Sequence, residues 1–166
     1  LLDRASRLAE LCRQREATFI VNDRPDIATL AGASGVHLGQ DDIGVAQARK
    51  IVGPDAIVGV STHTLEQAKA ALESSPDYLA VGPVFPSDTK PNKQVVGLTT
   101  LADIRELTDL SLIAIGGISS DNVAQVLGTA DCMVCVCSAV ICSADPLGQT
   151  RLLRNTIEET SRLRSS

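Results

Sequence analysis

Tryptophan is absent from the 166 residues, and Phe19, Tyr78 and Phe85 are the whole aromatic complement, with Met133 the single methionine. A hydrophobic fraction of 44% must therefore be built from Val, Ile, Leu, Ala and Cys. Those aliphatics fill parallel sheets and their covering helices. Basic residues are also in deficit: 15 Lys and Arg stand against 20 Asp and Glu, a net charge of −5. That balance excludes a general nucleic-acid or anionic-membrane binder, since both need a basic footprint, but it leaves room for one small phosphate pocket. No apolar run approaches the roughly 20 residues of a membrane span, and no signal-peptide pattern opens the chain. The five cysteines are odd in number and four crowd between Cys132 and Cys142, unlike a secreted disulfide framework. A reducing compartment follows, the cytoplasm, or a plastid in a plant or alga.

What is present is a repeat. Leu1, Ala5, Leu8 and Cys12 recur at helical spacing, and Thr18 to Val21 is a short apolar run. Helix 27–33, strand 35–38, helix 45–52 and strand 57–60 follow. Next come helix 65–72, strand 78–81, a long loop over 82–97 and helix 98–107. Strand 111–115, helix 121–127 and strand 133–137 complete the alternation, and Leu147, Leu152, Leu153 and Ile157 of an amphipathic tail are expected to cover the sheet. The strands as far as 57–60 are short and unalternated, as in a sheet covered on both faces. No linker divides the run, so residues 1–166 read as one domain.

Six βα units demand a parallel sheet. At about 28 residues each, eight units would need about 221 residues, ordinary for a (β/α)₈ barrel. A TIM (β/α)₈ barrel lacking its first two strands is the expected fold, a doubly wound open sheet the rival. The chain opens on Leu1-Leu2-Asp3-Arg4 inside a helical pattern and without Met, which agrees with an upstream portion.

Barrel enzymes build their sites at the C-terminal strand ends. Here those ends read Asn22-Asp23-Arg24, Gly39-Gln40-Asp41-Asp42, Ser61-Thr62-His63-Thr64, Gly82 to Lys90, Gly116-Gly117-Ile118-Ser119-Ser120 and Cys137-Ser138. Asp23 and one of Asp41 and Asp42 sit on adjacent strand ends, and two carboxylates plus substrate phosphate oxygens is how Mg²⁺ is usually held. Each Asp could equally cap the helix that follows. Gly116-Gly117 with Ser119 or Ser120 suits an anion, or a tight turn. Ser87, Thr89 and Lys90 offer donors and a charge for a diphosphate in what would be a closing flap, or a solvated loop. Cys132-x-x-Cys135 has half a zinc spacing without a second pair, so its thiols read as small apolar side chains. His63 reads as a hydrogen-bonded histidine or an acid-base group.

Val21-Asn22-Asp23-Arg24, Gly35 to Asp42 and Gly59-Val60-Ser61-Thr62-His63-Thr64, in that order, resemble signatures of the thiamine phosphate synthase family. Tyr78 to Pro86, Ser87-Asp88-Thr89-Lys90-Pro91 and Ile115-Gly116-Gly117-Ile118 extend the likeness over nearly the whole chain. The resemblance implies a TIM-barrel transferase that joins a hydroxymethylpyrimidine diphosphate to a thiazole phosphate, with these small molecules as its partners and a homo-oligomer left open. It implies that Asn22, Ser61 and Lys90 contact the pyrimidine diphosphate, with Ser61 and Lys90 serving the reaction. It further implies that Asp23 and Asp42 hold Mg²⁺, and that Ser87, Asp88, Thr89, Gly117, Cys137 and Ser138 bind the thiazole phosphate. Diphosphate would leave first, and the thiazole nitrogen would attack the resulting cation. The family's first strand and its Gln-x-x-x-Lys type segment have no counterpart among the 166 residues, and the stretch 132–138 is one residue longer than the family's run. A thiazole tautomerase-like isomerase, another phosphate-binding barrel and a non-catalytic fragment are the competing expectations.

Overall fold

Apolar runs become strands and amphipathic stretches become helices in a computed structural model that describes residues 1–86 and 94–164. The elements are α1 (Leu2–Gln14), β1 (Ile20–Asn22), α2 (Pro25–Ala31), β2 (Gly35–Leu38), α3 (Val45–Val52), β3 (Ile57–Thr62) and α4 (Leu65–Glu73). They continue with β4 (Tyr78–Val81), α5 (Gly97–Leu107), β5 (Ser111–Ile115), α6 (Val123–Thr129), β6 (Met133–Cys135), α7 (Ser138–Ile141) and α8 (Pro146–Arg164). The strands hydrogen-bond in chain order, β1 to β6, and the pairs β1–β2, β2–β3 and β5–β6 are parallel. An α/β fold with a parallel sheet is thus the architecture.

The chain divides into two compact units, Leu1–Thr62 with Lys69–Leu79, and His63–Ala68 with Ala80–Ser166. In the first, Ile27, Ala28, Val36, Leu38, Val45, Ala48, Val58, Val60 and Leu79 are buried. Burial runs almost unbroken along β2 and β3, the signature of strands covered on both faces. Asp77 fastens this unit: its Oδ2 accepts the Val58 N–H at 2.6 Å and an Arg49 Nη2 hydrogen at 2.9 Å. Arg49 also donates to the carbonyl of Ala56 at 3.1 Å.

In the second unit, Leu101, Ile104, Leu112, Ala114, Val123, Val126 and Leu127 form the core. Here, unlike in β2 and β3, burial alternates along the strand. Leu112 and Ala114 are buried, whereas Ile115 and Met133 are exposed, and the register Ile113↔Met133 and Ile115↔Cys135 puts the alternate residues on one open face. Period-2 alternation along a strand makes one face core and the other surface. The tail departs from expectation. Leu153 is buried, but Leu147 and Leu152 are 61% and 48% exposed, because α8 packs along α6 and is fastened there by Arg164, whose Nη1 donates to the Leu127 carbonyl at 2.7 Å.

Several boundaries shift, among them those of α2, which runs Pro25–Ala31 rather than 27–33, and the end of β3, at Thr62 rather than 60. β1 begins at Ile20, the first residue in register with β2 (opposite Gly35), rather than at Thr18. α6 begins at Val123, after Asn122 closes the preceding turn. β6 ends at Cys135, and Cys137 opens α7, its carbonyl accepting the N–H groups of Val140 and Ile141.

Candidate active site

The first unit brings three strand ends together. β1 hands over to α2 through Asp23 and Arg24 alone, with Pro25 at the first helical position, where its missing N–H costs nothing. To turn this tightly, Asp23 takes φ +63, a left-handed conformation that Asp tolerates better than most residues but that still carries strain. Its N–H donates to the His37 carbonyl at 2.8 Å, which carries the β1–β2 ladder one residue past Asn22↔His37. Arg24 clasps Asp26, Nε to Oδ1 at 2.8 Å and Nη2 to Oδ2 at 2.5 Å. The guanidinium hydrogen bonds pull the Asp26 carboxyl from its ordinary value down to about 2.

On β2, Leu38 gives way to Gly39, whose N–H donates to Asp42 Oδ2 at 2.7 Å. The Asp42 carboxylate is thereby aimed back at the strand end, with Oδ1 outside that bond. β3 brings Ser61 level with this turn, since Leu38 pairs with Val60. Gln40 Nε2 holds the Ser61 carbonyl at 2.5 Å, and the Ser61 hydroxyl lies 2.8 Å from His37 Nε2. Asn22, Asp23, Asp42 and Ser61 thus gather at the C-terminal edge of three adjacent parallel strands.

In the second unit, β5 and β6 end side by side, Ile115 opposite Cys135, which places Gly116-Gly117 beside the approach to Cys137 and Ser138. Both glycines have positive φ, +95 and +67. A Cβ on Gly116 would lie 2.5 Å from Pro83 Cβ, and one on Gly117 2.4 Å from the Pro86 carbonyl oxygen. Only glycine has both the conformation and the room. What approaches the pair so closely is the chain's own Pro83–Pro86 loop, tied by the Val84 N–H to the Ile115 carbonyl at 2.9 Å and the Phe85 N–H to the Gly116 carbonyl at 3.1 Å. Asn122 braces the turn from below, its Oδ1 accepting the Ser119 N–H and its Nδ2 donating to the Gly117 carbonyl, both at 2.9 Å. One of the donors expected for an anion, the Ser119 N–H, is therefore already engaged.

His63 has its Nδ1 hydrogen-bonded to the Gly82 carbonyl, and with Glu66, Gln94, Val96, Thr100 and Asp103 it lines a cavity of about 320 Å³. The cysteines do not behave as buried apolar side chains: Cys132 is half-buried, and Cys135, Cys137 and Cys142 are exposed free thiols. Burial pushes the Cys132 thiol up. Among the described residues no three His, Cys, Asp or Glu side chains cluster to hold a metal, and no helix is long and apolar enough to cross a membrane. Ser87, Asp88, Thr89 and Lys90 lie outside the described residues.

Three residues outside the strand-end stretches help to organise these sites, His37, Tyr78 and Asn122, together with Gln40 of the stretch Gly39 to Asp42. His37 had a signal, a polar side chain within the apolar run Gly35 to Leu38. Tyr78 had none, since its partner lies 41 residues away, whereas Asn122 bonds residues three and five positions before it, within the reach of an ordinary turn.

The model of the thiamine monophosphate synthase family matches residues 1–140. A thiamine-phosphate synthase of Shouchella clausii is 40% identical over 164 residues, which cover 97% of this chain and 78% of that one. One of Laribacter hongkongensis is 44% identical over 153 residues, covering 92% and 72%. Among solved structures, a thiamine phosphate pyrophosphorylase of Pyrococcus furiosus superposes with a TM-score of 0.87 at 38% identity, covering 96% of this chain and 76% of the other. Longer bifunctional relatives are matched over about a third of their length, as in Schizosaccharomyces pombe, where the share is 32%.

Proposed function

Because the chain belongs to the thiamine monophosphate synthase family, we propose that it couples hydroxymethylpyrimidine diphosphate to hydroxyethylthiazole phosphate, releasing diphosphate and thiamine phosphate. Identity of 40–44% to two proteins named for that activity, over nearly the whole chain, carries the reading. The six βα units belong to a (β/α)₈ barrel, and the 76% share of the Pyrococcus protein that is covered is what six of eight equal units would occupy.

The carboxylates of Asp23 and Asp42 fit Mg²⁺ by donor type: hard oxygens on neighbouring strand ends, too few to cage an ion alone, with substrate phosphate oxygens completing the shell. Bound there, Mg²⁺ would neutralise the departing diphosphate. Asn22 and Ser61 contact the pyrimidine diphosphate, and Lys90 adds a positive charge. Ser87, Asp88, Thr89, Gly117, Cys137 and Ser138 take the thiazole phosphate. Diphosphate departs with its bonding electron pair, and the thiazole nitrogen supplies the pair for the new C–N bond. Positioning and electrostatics then suffice, without a covalent enzyme intermediate.

Calorimetric titration with the pyrimidine diphosphate, with and without Mg²⁺, tests this. Binding should strengthen with Mg²⁺, and both D23N and D42N should abolish the difference. Thiamine phosphate should form only when both substrates are supplied. Metal-independent binding overturns the carboxylate assignment, and isomerisation of the thiazole alone overturns the reaction.

A further inference from the structure

His37, Ser61 and Tyr78 stand on β2, β3 and β4 within the first unit. The imidazole of His37 is bridged on both sides, Nδ1 to the Tyr78 hydroxyl at 2.9 Å and Nε2 to the Ser61 hydroxyl at 2.8 Å. The two rings stack with centroids 5.5 Å apart and planes 19° from parallel. Gly59 makes the arrangement possible, since the ring of Tyr78 occupies the space a Cβ at that position would need.

We propose that Tyr78 is a positioning residue which, through His37, turns the Ser61 hydroxyl proton outward and makes Ser61 a hydrogen-bond donor to an acceptor atom of the pyrimidine diphosphate. A neutral imidazole has one N–H and one lone pair. Two hydroxyls bonded to its two nitrogens must then play opposite parts, one giving a proton and one receiving. A phenol, with a pKa near 10, is more acidic than an alkyl hydroxyl and is the better donor. Its oxygen lone pairs are partly delocalised into the ring, so the alkyl oxygen is the better acceptor. Tyr78 therefore donates to Nδ1, and Nε2 keeps its hydrogen and donates to Ser61 Oγ. With that lone pair engaged, the Ser61 O–H points away from the imidazole. Gln40, holding the Ser61 carbonyl, keeps the main chain from following. The opposite tautomer would point the Ser61 proton at His37 and face an anionic substrate with oxygen lone pairs.

The inference rests on the reading that Ser61 meets the pyrimidine diphosphate, but the tautomer does not, and the two are tested apart. Long-range ¹H–¹⁵N spectra of the substrate-free protein report which nitrogen of His37 carries hydrogen. The Nε2–H tautomer is expected, shifting to a mixture in Y78F, which keeps the ring and removes only the hydroxyl. An Nδ1–H tautomer in the unsubstituted protein, or a spectrum untouched by Y78F, overturns the relay. In turnover with both substrates, Y78F should lower kcat about 2- to 10-fold, the worth of one neutral hydrogen bond, with a smaller change in KM. In an S61A background Y78F should cost nothing further. An equal factor in both backgrounds overturns the coupling, and S61A with undiminished turnover overturns the substrate contact whatever the tautomer.

Discussion

Replacing Gly59 by Ala tests the packing on which the His37–Tyr78 pair depends. The added Cβ would lie 1.9 Å from Tyr78 Cζ and 2.3 and 2.4 Å from Cε1 and Cε2. Ordinary carbon contacts lie at about 3.5–4.0 Å, so three ring atoms are too close by more than about 1 Å each. β3 lies between β2 and β4 in the strand order and cannot shift without breaking ladder hydrogen bonds. The ring must therefore leave. Overpacking of this kind costs about 1–3 kcal/mol, the lost ring pair about 0.5–1.5 kcal/mol, and the lost hydrogen bond to His37 about 1 kcal/mol. These effects overlap, and a destabilisation of about 2–4 kcal/mol is expected. In a chain of this size each kcal/mol lowers Tm by about 2–4 °C, so a fall of roughly 5–15 °C should be seen. Urea unfolding measures the free energy, with an unchanged slope showing that the unfolded state is not the cause. The decisive comparison is G59A in a Y78A background, where the space is vacated and the added methyl should be nearly harmless. A coupling energy of more than about 1 kcal/mol is the signature of direct contact. A G59A variant within about 0.5 kcal/mol of the parent, or one equally costly with and without the ring, would refute the reasoning.

Other outcomes follow from the same geometry. D77A should lower the unfolding free energy by about 2 kcal/mol, mostly by stranding the buried Val58 N–H, since the half-exposed Arg49 pair adds little; D77N, which keeps an acceptor, should recover about half in the same urea assay. G128A should raise stability by about 0.5 kcal/mol, because a Cβ there meets nothing within 4 Å and a helical glycine costs chain entropy; thermal unfolding checks it. The Asp26 carboxyl, held down by Arg24, should titrate at about 2. Because its folded value is depressed, the contribution of the pair is complete above the ordinary Asp value and is lost as the pH falls through about 2. An NMR titration of R24A should return the midpoint to near 4.

Strands β2, β4 and β5 and helix α3 could be delimited from the chain alone, since each is a bounded aliphatic run or a 3.6-period stripe. The candidate residues at the ends of β1, β2 and β3 were legible for a related reason: a polar residue directly after a buried strand has few other places to go. The misjudged parts depend on what lies across the gap. Leu147 and Leu152 look like core residues in a helical pattern, yet whether a stripe is buried depends on which neighbour it meets, and α8 meets α6. The cysteines of 132–137 looked apolar because cysteine usually is, but β6 leaves one face open.

By itself the sequence determined the βα repeat, the parallel sheet and the family, because periodicity and strand-end residues are local properties that survive any rearrangement of distant parts. Only the tertiary structure decided that Gly59 exists to admit a tyrosine ring, that Gly116 and Gly117 make room for the Pro83–Pro86 loop, and that His37 joins Tyr78 to Ser61. Those are relations between residues far apart in the chain, and such contacts come into being only when the strands are set side by side, about 4.8 Å apart, in one particular register.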